Sequence, residues 1–179
     1  MTRAPLLLAC LALALSAFAC GDDDEREAAA PQATVAATAT PAAAGSVDVA
    51  AISKDVTAKP SVAKPEGEPP VELRKTDIVK GKGAPVEPGD TVSVQYVGNS
   101  WSTGVQFDAS WDRGGEPFEF PVGAAQVIPG WDQGIPGMRP GGRRLLVIPP
   151  DLAYGTQSPS PEIGPNETLI FVVDLEKIG

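Results

Sequence analysis

The chain has 179 residues, with 23 acidic and 14 basic side chains, a formal charge of -9 and no His. That length suits one core of ordinary size plus accessories, and the lack of a basic cluster argues against a nucleic-acid surface, which needs Lys and Arg gathered on one face. Without His, the side chain most used for proton transfer near neutral pH and for metal ligation, any catalysis must rest on other groups.

Residues 1–19 carry one positive charge at Arg3, an apolar run from Leu6 through Phe18, and a small residue, Ala19, just before Cys20. This is the layout of a secretory signal. The run is shorter than the ~20 residues that cross a bilayer as a helix, and Gly21 and the acidic Asp22, Asp23 and Asp24 follow at once. A small residue ahead of Cys at this place resembles the bacterial lipoprotein box, in which the Cys is lipidated and becomes the mature N-terminus. Ala17 stands where that box usually has Leu, and bulky Phe18 follows. Cys20 fits better than Cys10, where cleavage would leave almost no apolar core; simple cleavage without a lipid is the alternative. Both cysteines lie in the first twenty residues, so the folded part holds no disulfide.

From Gly21 to Pro70 there is no aromatic residue and no apolar period, and Ala, Pro, Thr, Lys and Glu dominate. Such a segment buries too little surface of its own to offset the entropy of ordering. The expectation is a signal peptide over 1–19, a lipid-attachment Cys and disordered Ala/Pro-rich tether over 20–70, and one folded domain over 71–179. As a random coil the tether would reach roughly 40 Å from a membrane.

Within 71–179, Val92, Val94 and Tyr96 alternate with Ser93 and Gln95, the period of a half-buried strand, and Pro88-Gly89-Asp90 supplies the turn before it. A second strand is expected near Arg144–Ile148, stopped by Pro149-Pro150, and a third over the β-branched run Leu169–Leu175. Between them Val127–Met138 holds a short helix: Pro129 suits a first turn, Gly130 and Gly134 are spaced for close packing, and Pro136 ends it. Several strands and one short helix predict an α+β domain.

The usual catalytic templates fail here. There is no Ser-His or Cys-His pair, no metal-ligand cluster, and no glycine pattern for a dinucleotide or a phosphate loop. What stands out is a set of aromatics among glycines and prolines: Tyr96, Phe107, Trp111, Phe118, Phe120, Trp131, Tyr154 and Phe171. Most of these belong to any core of this size, but an aromatic pocket with few polar groups is also how proline side chains and small molecules are held.

In order along the chain, Tyr96-Val97-Gly98, Gly104 to Ser110 (GVQFDAS) and Pro117 to Phe120 (PFEF) resemble the first half of the FKBP-type peptidyl-prolyl isomerases. Val127-Ile128-Pro129-Gly130-Trp131, Gly137-Met138, Gly141-Gly142, Ile148-Pro149-Pro150, Leu152-Ala153-Tyr154-Gly155 and Thr168 to Phe171 resemble the second half, with a small insertion near Gly114-Gly115. The resemblance implies a twisted antiparallel β-sheet wrapped around a short α-helix, with a pocket between them. It implies catalytic roles for Tyr96, Phe107, Asp108, Tyr154 and Phe171, and substrate-binding roles for Arg113, Phe118, Val127, Ile128, Trp131 and Ile163. Trp131 would be the floor and Asp108 a buried carboxylate held by Arg113 and the Tyr96 hydroxyl. Tyr154 and the Ile128 amide would donate to the bound backbone. No metal or other cofactor is implied. Partners would be proline-containing polypeptides and macrolides such as tacrolimus or rapamycin, and the leader would place the protein outside the cytoplasm on a membrane. Gln126, Pro136, Pro159 and Glu162 depart from the family's habits, which bears on selectivity more than on activity. A second reading keeps the fold as a client-binding chaperone with little isomerase activity, and a third is a lipoprotein spacer.

Overall fold

The structure, a computed structural model, describes residues 45–179. The leader, Cys10, Cys20 and the first part of the expected tether lie outside the described residues. Six strands, β1 (Arg74–Val79), β2 (Thr91–Ser100), β3 (Gln106–Ala109), β4 (Phe118–Pro121), β5 (Gly142–Ile148) and β6 (Leu169–Ile178), accompany one helix, α1 (Pro129–Gly134). The sheet order is β1-β5-β6-β2-β3, with β4 also on β2, and every pairing is antiparallel. One edge of β2 pairs with β6; the other is shared by β4 along Thr91–Val94 and β3 along Val97–Asn99. This is the α+β architecture expected.

Pro129 opens α1 in its first turn, where its missing N–H is no loss, and the helix stops ahead of Pro136. The two helix glycines let it lie directly on β5. A Cβ on Gly130 would sit 2.3 Å from Ile148 Cγ2, and one on Gly134 would sit 2.9 Å from Leu146 Cδ1.

Alternation along the long strands builds two separate layers. Val92, Val94 and Tyr96 of β2, Leu146 and Ile148 of β5, and Leu169, Phe171, Val173 and Leu175 of β6 face inward onto Trp131, Ile135 and Met138. The intervening Leu145, Val147, Ile170 and Val172 face outward, with Trp101 beside them. The half-buried strand expected of β2 is covered on both faces: Ser93 and Gln95 are only 2% and 3% exposed.

The cover on the outer face corrects the expected tether from residue 45 onward. Residues 45–70 form a strap whose Val47 and Ile52 are buried against Leu145, Val147, Ile170, Val172 and Trp101. Arg143 and Asp174 pair beneath it, with side chains 0% and 3% exposed. Arg143 also donates to strap carbonyls, Nη1 to Ser53 at 2.6 Å and Nη2 to Ala58 at 2.8 Å. Trp101 Nε1 donates to Gly67 O at 3.3 Å, and Ser46 N donates to Glu66 O at 3.2 Å, drawing the ends of the strap together. Burial pushes the Asp174 carboxyl above its usual range even beside Arg143. Composition misled because the apolar surface that orders the strap belongs to the sheet rather than to the strap.

Candidate active site

A cavity of about 420 Å³ opens on the inner face. Tyr96 of β2, Phe107 and Asp108 of β3, Phe118 of β4 and Phe171 of β6 supply its sheet side, and Trp131 comes from α1. Val127 and Ile128, leading into α1, and Tyr154, after β5, complete the residues expected there. Trp131 is 4% exposed and packs edge-on to Tyr96 at 5.1 Å and to Phe171 at 5.2 Å, centroid to centroid. Phe107 in turn meets Phe171 edge-on at 5.5 Å. Such edge contacts are favourable for quadrupolar rings and hold the walls in one geometry. The Trp131 indole nitrogen is buried without a hydrogen-bond partner among the described residues, the kind of unpaired donor that calls for an explanation such as a ligand.

One polar corner interrupts the aromatic lining. The Tyr96 hydroxyl donates to Asp108 Oδ2 at 2.5 Å and accepts from Arg113 Nη2 at 2.7 Å. Arg113 Nη1 also pairs with Asp108 Oδ1, and its guanidinium stands 5.4 Å from the Tyr96 ring centroid. The triad expected from the resemblance is therefore assembled, but Asp108 is not buried: its side chain is 39% exposed and that of Arg113 is 51% exposed. β3 is a four-residue edge strand, so its side chains lie at the rim. Burial, and then the hydrogen bond to Asp108, push the Tyr96 phenol up to about 12, so it stays neutral at any physiological pH. Burial and the nearby Asp108 charge also raise Tyr154.

Two expected substrate contacts fall elsewhere. Ile163 is buried in the inner core and is not among the residues lining the cavity, and Arg113 acts behind Asp108 and Tyr96 rather than on the cavity wall. Conversely, Ala125 and Gln126 line the cavity without having been assigned to it. Asp132, on α1, was also missed. Its carboxylate accepts from the amides of Gly123 at 2.7 Å and Ala125 at 3.1 Å, which fixes the loop carrying Gln126 and Val127. An acidic residue in the first turn of a helix that follows a glycine-containing loop is the signal that could have found it. Among the described residues no group of three or more His, Cys, Asp or Glu side chains could hold a metal ion.

Comparison with known proteins agrees with this fold. The model of the FKBP-type peptidyl-prolyl cis-trans isomerase family matches residues 82–176, more than half of the chain. The chain is 56% identical over 118 residues to an FK506-binding protein of Streptomyces anulatus, covering 65% of this chain and 94% of that one. It is 45% identical over 117 residues to a probable FK506-binding protein of Corynebacterium glutamicum, covering 65% and 96%. Among solved structures, FkpA from Escherichia coli is 42% identical with a TM-score of 0.53, over 59% of this chain and 47% of FkpA. AtFKBP13 is 37% identical with a TM-score of 0.54, over 60% and 93%. The chain belongs to the FKBP-type peptidyl-prolyl cis-trans isomerase family.

Proposed function

We propose that the protein accelerates X-Pro isomerisation in polypeptides folding outside the cytoplasm, using the aromatic cavity as its active site and a lipidated Cys20 as its anchor. The isomerase activity comes with the family; the residue roles and the setting are the proposal. The observation that carries it is an open aromatic cavity with a single carboxylate at its edge, tied down by Arg113 and Tyr96.

The X-Pro amide exchanges in tens to hundreds of seconds because rotation breaks its partial double bond. The twisted amide has lost that resonance and, with it, part of the polarity that water stabilises. An aromatic cavity with Trp131 under the proline ring and Phe107, Phe171 and Tyr96 around it, which displaces water from the bound amide, therefore favours the twisted form over either planar one. A thousandfold acceleration requires about 4 kcal/mol of this preference. Tyr154, 37% exposed at the rim, is suited to donate its hydroxyl to the bound backbone. Asp108 holds the Tyr96 ring in place rather than moving a proton. The same apolar cavity suits macrolides such as tacrolimus or rapamycin, which present a buried ring and a few carbonyl acceptors.

For the site, the test is the isomerisation rate of an X-Pro peptide with Phe107→Ala and Asp108→Val. Each should lower the rate tenfold or more, about 1.4 kcal/mol of lost preference, and unchanged rates in both would locate the site elsewhere. For the anchor, Cys20→Ala should release the protein from membranes or block its maturation, whereas Cys10→Ala should do neither. A Cys20→Ala protein that is still processed and membrane-bound would refute the anchor.

A further inference from the structure

The strap on the outer face also reaches the machinery of the inner one. Lys59 Nζ lies 2.7 Å from both carboxylate oxygens of Asp112, and Gln106 Nε2 donates to Asp112 Oδ2 at 2.8 Å. Asp112 is the last residue of a 3-10 turn, Ser110–Asp112, that follows β3 and delivers Arg113. The Arg113 amide donates to Ser110 O at 3.0 Å, closing that turn. The Asp112 carboxylate thus joins the strap, the start of β3 and the turn at one point. From there Arg113 reaches back to Asp108 on β3 and to the Tyr96 hydroxyl. Lys64 braces the same hairpin beside it, packed so tightly on Gly104 that a Cβ there would sit 2.6 Å from Lys64 Cβ. Lys59, and after it Gln106, hold the Asp112 carboxyl below its usual range, as expected of a carboxylate engaged by both.

We propose that Lys59 is a positioning residue for isomerisation: through Asp112 it fixes the turn that presents Arg113, and so sets Asp108 and Tyr96 at the edge of the cavity. The inference rests on the reading of the cavity as the active site. Lys59 lies outside residues 82–176, which the family model matches. The side chains of Lys59 and Asp112 are 36% and 53% exposed, so the pair adds little to global stability and acts on local geometry instead.

The test compares the full chain with Lys59→Met, Lys59→Arg, Asp112→Asn, the Lys59→Met/Asp112→Asn double variant and Phe107→Ala, measuring kcat and KM on an X-Pro peptide together with the melting temperature. Lys59→Met should lower kcat about two- to fivefold, the range open to an exposed pair, with KM little changed and melting within about 3 °C of wild type. Lys59→Arg should restore the rate, and the double variant should be no slower than the worse single one, as expected of residues acting together. An unchanged kcat in Lys59→Met overturns the proposal. So does a loss of rate that follows a loss of melting temperature, or one that Lys59→Arg does not restore. If Phe107→Ala loses rate and Lys59→Met does not, the strap proposal alone fails. If neither loses rate, the reading of the cavity fails and the positioning role falls with it.

Discussion

Along β2, β5 and β6 neighbouring residues serve opposite ends. Those that point inward are bulky and leave a cavity among Trp131, Phe171 and Tyr96, whereas those that point outward are covered by a strap whose backbone carbonyls satisfy Arg143. The cavity keeps its one carboxylate at the rim, partly in water; the outer face seals a carboxylate and a guanidinium almost completely. A cavity that admits a substrate, as proposed for this one, must stay open and can leave its ion pair half-solvated at modest cost. A supporting face has no ligand to admit, and its buried pair is tolerable because each guanidinium nitrogen of Arg143 finds a partner. The two ion pairs should therefore respond very differently to substitution.

The largest effect on stability is expected at Arg143. Arg143→Met leaves Asp174 buried without its partner and frees two strap carbonyls, at a cost of about 3–5 kcal/mol, readable from urea unfolding. A loss below about 1 kcal/mol would mean that the outer pair behaves like a surface pair and would remove the contrast between the faces.

The next effect comes from Tyr96. Its phenol is pushed up to about 12 in the folded protein, against about 10 when unfolded, so the folded state binds more protons between those values. Its contribution to stability is fully present below pH 10 and is lost as pH rises through about 12, amounting to at most roughly 3 kcal/mol. Tyr96→Phe should flatten that part of the stability profile; an unchanged slope would show that Tyr96 is not held neutral by its surroundings.

The smallest effect concerns Glu162, an exposed residue in the loop before β6. A carboxylate there should favour Lys-Pro over Glu-Pro peptides by at most about fivefold, and salt should weaken the bias because surface charges are screened over about 8 Å. An identical rate ratio in wild type and Glu162→Ile at low salt would make Glu162 a solvated loop charge and nothing more.

Much of the inner face was legible before the structure was known. Val92, Val94 and Tyr96 alternate as a strand must, the run from Leu169 is too β-branched to prefer a helix, and Pro129 and Pro136 bracket the one α-helix among the described residues. The motifs around Phe107, Trp131 and Tyr154 then named the cavity. The outer face was not legible, because single aliphatics such as Val47 and Ile52 carry no period and backbone carbonyls such as those of Ser53 and Ala58 leave no mark in a sequence. Arg143 did carry a signal, one of two adjacent charges at the head of an apolar strand that demand partners, but the sequence does not say which segment provides them. β1 was missed because its residues Arg74–Asp77 are exposed and polar, ordered by pairing with β5 rather than by burial. The exposure of Asp108 depended on β3 being a short edge strand, a matter of sheet order that no local pattern reveals.

The central claim is that the inner cavity isomerises X-Pro bonds by favouring the twisted amide, without an acid, a base or a metal. It is tested most directly by the proline-limited slow phase of a refolding client, followed with and without the wild-type protein from pH 6 to 8, in the presence and absence of a chelator. The account predicts a marked acceleration that changes little across that range, because Tyr96 stays neutral throughout, and that ignores the chelator, because the proposed twist of the amide calls on no metal. No acceleration, a steep inflection between pH 6 and 8, or loss of the effect with the chelator would contradict it.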